Sequence, residues 1–159
     1  MAPRDGGTFL STFKPDHFFL SRTEGTGVVR DLTGRVIDRC VITTEGAWNH
    51  DHGALSFDEV YSYESGQADR LSWTFAPDAQ GRMSASEETI TAPVLGWTDG
   101  GDYRLRFKRR GGPGAPGNLA LIYNVRFTLL EPTVALKVAR VGLFGLTLGE
   151  MTAIHRRLG

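Results

Sequence analysis

Residues 55–63, Leu-Ser-Phe-Asp-Glu-Val-Tyr-Ser-Tyr, and 68–75, Ala-Asp-Arg-Leu-Ser-Trp-Thr-Phe, carry large side chains at alternate positions on either side of the turn Glu64-Ser65-Gly66. Successive side chains of a strand point to opposite faces, so two such runs around a glycine turn specify an antiparallel hairpin with one buried face. That face reads Leu55, Phe57, Glu59, Tyr61, Tyr63, then Leu71, Trp73 and Phe75. A carboxylate and two phenols therefore sit among apolar neighbours. Such a surface suits either a packed core or a ligand cavity with a few polar anchors.

The same period recurs along the chain. Asp102 to Arg109 sets Tyr103, Leu105 and Phe107 on one face and Arg104, Arg106 and Lys108 on the other, and Leu119 to Leu130 repeats the alternation. Thr23 to Arg30, Arg35 to Trp48, Arg82 to Thr91, Thr133 to Val141 and Leu146 to Arg157 also read as strands. In Arg35 to Trp48, apolar residues on both phases point to two half-buried faces or a bulge. Turns fall between the strands at Asp31 to Gly34, Asn49 to Gly53, Pro77 to Gly81, Asp99 to Gly101, the Gly/Pro run Gly111 to Gly117, and Glu131-Pro132. Pro15 to Leu20 reads as a helical turn entered through proline, carrying a Phe pair inward. About eight to ten short strands with no long amphipathic helix between them predict an all-β fold, a single antiparallel up-and-down barrel with a short N-terminal helical turn. Residues 1–15 read as an extension and 16–159 as the barrel domain.

At 159 residues the chain fits one domain that buries enough surface to fold without disulfides or a metal. Lys plus Arg and Asp plus Glu are 18 each, so the balance lacks the footprint of a nucleic-acid binder. The one cysteine, Cys40, lies in a strand pattern and reads as a small buried hydrophobe. The sequence from Met1 shows no signal-like apolar segment, and no run is long enough to cross a membrane as a helix, which sets the expectation of a soluble, cytoplasmic protein.

Several segments together resemble a known family: Asp16-His17-Phe18-Phe19, Gly25-Thr26-Gly27, Asp31-Leu32-Thr33-Gly34-Arg35, Gly46-Ala47-Trp48, Leu55 to Tyr63, Asp69 to Trp73 and Phe144 to Thr152. The pattern is similar to an uncharacterised bacterial family of the DUF3833 type, whose members are often described as lipoproteins. That resemblance carries no assigned chemistry. The chain departs from it in lacking a lipid-accepting cysteine near Met1 and an Asp-Trp pair near Phe127-Thr128, and the resemblance leaves envelope association open. More loosely, the architecture resembles the lipocalin or calycin barrels, known for carrying apolar small molecules, an analogy of fold alone.

Individual residues divide between structural and functional readings. Glu59, on the apolar phase, needs a cation or hydroxyl partner or a raised pKa; it is either a satisfied structural charge or a polar anchor. Phe57, Tyr61, Tyr63, Trp73, Phe107 and Tyr123 are expected to line the interior with Glu59, and aromatic packing in an ordinary core is the competing account. His50-Asp51-His52 lacks third and fourth ligands and reads as a solvated turn, so no metal or other cofactor is expected. The ridge Arg104, Arg106, Lys108 reads as a solvated strand face, with contact to phosphate or an anionic membrane as the functional alternative. The expected function is non-catalytic binding of a hydrophobic or amphipathic small molecule or lipid. The alternative is an isomerase or lyase using Glu59 and a tyrosine as base and acid. A homodimer through an edge strand is the remaining interaction the pattern allows.

Overall fold

The computed structural model describes residues 12–80, 82–112 and 119–159. A four-residue helix, α1 (Pro15–Phe18), precedes eleven strands: β1 (Ser21–Asp31), β2 (Val36–Asn49), β3 (Ala54–Tyr63), β4 (Ala68–Pro77), β5 (Met83–Glu87), β6 (Val94–Leu95), β7 (Trp97–Asp99), β8 (Asp102–Arg110), β9 (Ala120–Glu131), β10 (Val134–Leu143) and β11 (Leu146–Arg157). All pair antiparallel in the order β6-β5-β4-β3-β2-β1-β11-β10-β9-β8-β7. The first and last long strands meet, from Thr23 opposite Arg157 to Asp31 opposite Gly149, which bends the meander into a nearly closed barrel. The single antiparallel barrel read from the alternation is the observed fold.

The strand count exceeds the expected eight to ten because Val94–Leu95 and Trp97–Asp99 are too short to show a period. Within Arg82 to Thr91 only Met83–Glu87 forms a strand. In β2 the bulge alternative holds: the β1/β2 register shifts between Val29 and Arg30, Cys40 and Ile42 face inward, and Ile37 and Val41 are exposed. Within the expected extension, Phe13 is buried in the core, while residues 1–11 lie outside the described residues, as do Gly81 and 113–118 of the Gly/Pro run.

The sheet's two edges, β6 and β7, are consecutive in sequence and joined through Gly96. Their seam is bridged by an Ile90–Arg109 backbone pair and by the Tyr103 hydroxyl, which donates to the Met83 carbonyl at 3.2 Å. One end of the barrel is stopped by aromatic rings. Pro15 begins α1, and the short helix turns Phe18 and Phe19 inward beside Phe13. Phe13 stacks on Phe127 at 4.9 Å and Phe19 on Phe57 at 4.5 Å, while the Phe13 N–H donates to the Gly101 carbonyl at 2.9 Å. The plug fits only because β2 has no side chain at Gly46, where a Cβ would stand 2.0 Å from the Phe19 carbonyl oxygen. Gly46→Ala is therefore expected to cost about 2 kcal/mol or more through forced backbone displacement, read as a lower urea midpoint at unchanged m-value.

Candidate ligand-binding cavity

Beyond the aromatic plug the barrel interior holds a cavity of about 320 Å³, at the lower end of the ~300–1,000 Å³ range of small-molecule sites. Its walls are mostly apolar: Leu71, Phe75, Leu105, Leu121, Val125 and Ala139 are among the residues that face it. It reaches the turn end of the barrel, opposite α1, where Ile37, Gln67 and Leu148 belong to its lining. All seven residues singled out from the sequence, Phe57, Glu59, Tyr61, Tyr63, Trp73, Phe107 and Tyr123, lie on its wall. Phe107 and Tyr123 stack at 5.1 Å, Trp73 meets Phe107 edge-on at 5.3 Å, and Tyr61 and Tyr63 stack at 6.1 Å.

Two buried ion pairs cross this interior. Lys137 on β10 donates from Nζ to Glu59 Oε2 at 3.0 Å and to the Tyr61 hydroxyl, and Trp73 Nε1 donates to Glu59 Oε1 at 3.3 Å. The same ammonium lies 5.1 Å from the centre of the Tyr61 ring. Desolvation alone would push the Glu59 carboxyl up, but the adjacent Lys137 outweighs it and holds the group below its ordinary value. Burial, reinforced by the Glu59 charge, pushes the Tyr61 phenol well above 10. Nearer the turn end, Arg109 of β8 grips Asp69 of β4 with both terminal nitrogens at 2.6 and 2.7 Å, and its Nε donates to Thr89 Oγ1 at 2.9 Å. This fork crosses the seam where the backbone ladder is thinnest, so side chains complete there what strand pairing leaves open. Burial opposes the Arg109 charge, but Asp69 more than restores it and raises its pKa. Tyr63 and Tyr123 are both pushed up by burial, Arg109 partly offsetting the effect at Tyr123.

A third buried group lies towards the plug. His155 of β11 is fully buried, edge-on to Phe19 at 6.3 Å, and neither ring nitrogen has a hydrogen-bond partner among the described residues. Gly25 makes room for it: a Cβ there would stand 3.0 Å from His155 Nδ1. Desolvation, aided by Lys137 and opposed by Glu59, lowers its pKa to about 4.

Lys137, Asp69, Arg109 and His155 were not among the residues chosen from the sequence, yet each continues an inward phase. Asp69 is in step with Leu71 and Trp73, Arg109 with Leu105 and Phe107, Lys137 with Ala135 and Ala139, and His155 with Ala153. By contrast His50 and His52 are exposed in the turn between β2 and β3, and Arg106 and Lys108 face outward with Arg104 half-buried beside Asp99. Cys40 is buried, its thiol pushed up by desolvation.

A family model described as protein of unknown function (DUF3833) matches residues 7–157. The chain belongs to this family. The match spans the helix, every strand of the barrel and all the cavity residues named above, so the DUF3833 pattern and the closed meander are features of the same segment. No curated protein matches the sequence.

Two outcomes follow from the buried charges. Lys137→Met is expected to destabilise the fold by about 3–5 kcal/mol, because it strands Glu59 unpaired in the interior. The double variant E59M/K137M should recover most of that loss in chemical denaturation. His155, with a folded value of about 4 against an ordinary 6.5, binds a proton in the unfolded chain before it does so in the folded one. Its contribution is thus fully present above pH 6.5 and is lost as pH falls towards 4, about 3 kcal/mol in all. His155→Met should flatten the fall in urea midpoint across that window. A slope unchanged by the substitution would show that His155 is not its source.

Proposed function

We propose that the barrel binds an uncharged amphipathic small molecule, lipid-like in its apolar part, and holds it without chemical change. The observation that carries this reading is the apolar cavity of about 320 Å³ whose buried charges are already matched, Glu59 with Lys137 and Asp69 with Arg109. A charged ligand would have to split one of these pairs or bring an uncompensated charge into a poorly solvated space, at a cost of several kcal/mol. A neutral head group instead finds the hydroxyls of Tyr63 and Tyr123 and the amide of Gln67, all on the cavity wall. The apolar tail then lies along Leu71, Leu105 and Val125. This mode of use is that of lipocalin-like carriers, in which the closed sheet supplies a rigid container.

Acid/base catalysis by Glu59 and Tyr61 is the competing reading, and the electrostatics favour binding over it. Efficient proton transfer wants groups that titrate near the working pH. Glu59 is held low by Lys137, Tyr61 is pushed far up by burial, and the ammonium that touches both stabilises the ionised carboxylate.

Nile red, a neutral apolar dye, is expected to bind the wild-type protein with enhanced, blue-shifted fluorescence. A long-chain alcohol should displace it about tenfold more effectively than the carboxylate of equal length. Ala139→Phe, which projects a ring into the cavity, should abolish binding while leaving the melting temperature within a few degrees. Absence of dye binding by the wild-type protein, or tighter binding of the carboxylate, would sink the proposal.

A further inference from the structure

The turn end of the barrel carries an unusual set of exposed apolar side chains. Phe144 is 87% exposed, Leu146 70%, Leu32 69% and Ile37 62%. Leu32 and Phe144 lie in the β1–β2 and β10–β11 connections and Ile37 and Leu146 at the adjoining strand starts, which the β1/β11 pairing sets side by side. Folding does not explain them. Phe144-Gly145 forms a two-residue hairpin turn in which both residues have positive φ, 51° and 78°. Such turns favour Asn or Asp before Gly, and a bulky residue in the left-handed region costs about 1 kcal/mol or more. Phe144 bears that strain while its ring contributes almost nothing to the core.

Two further observations identify what would cover these tips. The first is continuity: Ile37 and Leu148 line the cavity and are also substantially exposed, so the apolar rim and the apolar interior form one surface. The second is charge. Immediately behind the tips, Arg30 and Arg140 flank Glu150 in register across β1, β11 and β10, and Arg140 Nε donates to Glu150 Oε2 at 2.9 Å. Beside them Arg35 and Arg39 stand with Asp31, Asp38 and Glu64, so the turn end interleaves four cations with four carboxylates, a pattern complementary to a zwitterionic headgroup layer. Strands β1, β2, β10 and β11, which carry the apolar tips, are each paired on both sides, so the tips themselves offer no free strand edge to a protein partner.

We infer that the turn end of the barrel docks on a zwitterionic lipid surface, with Phe144, Leu146, Leu32 and Ile37 inserted among the acyl chains and the cavity mouth facing the bilayer. This role rests on the cavity reading above and extends it: the lipid surface is the source or destination of the bound amphiphile, which passes between membrane and barrel without crossing water. Insertion is driven by apolar area, so salt has little effect on it.

The test is flotation of the full chain with vesicles of 1-palmitoyl-2-oleoyl phosphatidylcholine at about 0.1 M and about 1 M salt, where the Debye length falls from ~10 to ~3 Å. The wild-type protein should float equally at both. The double variant F144N/L146S, whose first change relieves the turn strain, should keep its melting temperature and its binding of Nile red in vesicle-free solution. Its flotation should fall by about tenfold or more, the scale of one or two apolar side chains lost from the membrane. No flotation of the wild type, flotation confined to anionic vesicles at low salt, or equal flotation of the variant would each overturn the inference. So would a concentration-dependent dimer abolished by the same substitutions, which would assign the rim to a second copy of the chain. Failure of the wild type to bind Nile red without vesicles overturns the cavity reading, and with it the rim as an entrance, and is scored apart from flotation.

Discussion

The contact between Lys137 and Glu59 organises the inside of this barrel. The two residues lie on β10 and β3, separated along the wall by β11, β1 and β2, yet nitrogen and oxygen are 3.0 Å apart. The pair therefore spans the lumen. A buried ion pair contributes little net stability compared with apolar side chains of similar volume, because desolvation consumes most of the Coulombic gain. Its consequence here is for what the interior is: Lys137 holds Glu59 ionised, anchors the Tyr61 hydroxyl, and adds to the burial that keeps His155 neutral, against the opposing pull of Glu59.

The fold was legible in the sequence wherever a strand exceeds about five residues, because period two survives single exceptions over that length. It failed where tertiary contact replaces local pattern. The strands β6 and β7 have only two and three residues, and they exist because the chain must step from one edge of the sheet to the other at the seam. Phe13, read with the segment before the barrel, packs in its core; nothing local distinguishes an aromatic residue that plugs a barrel from one in a tail.

The cavity was half legible. Glu59 stood out because it interrupts an apolar phase flanked by aromatics on both sides. Asp69 and Arg109 sit in equally inward phases but near strand ends, where a charge is ordinarily solvated. Lys137 is separated from Glu59 by 78 positions, and pairing across that distance depends on the register of five strands, which alternation does not specify. The aromatic lining was found and its partners were not, because burial is written in the local period whereas charge compensation is written in the topology.

In the proposed role the two ends of the barrel divide the work of folding and binding. At the helix end the rings of Phe13, Phe18, Phe19, Phe57 and Phe127 interlock in the core, so packing is concentrated there. At the turn end local rules are broken: a phenylalanine occupies a left-handed turn, leucines stand in water, and the lumen behind them is unfilled. A sequence selected for stability alone would place Asn at 144 and larger side chains at Ala139 and Val125. That the four most exposed large apolar side chains, the strained phenylalanine and the unfilled lumen share one end, and that the charges within the lumen and those around the rim are matched in sign, points to one physical cause. The occupant proposed for this end brings apolar area and little net charge, and on that reading both the interior and the entrance receive it without separating an ion pair.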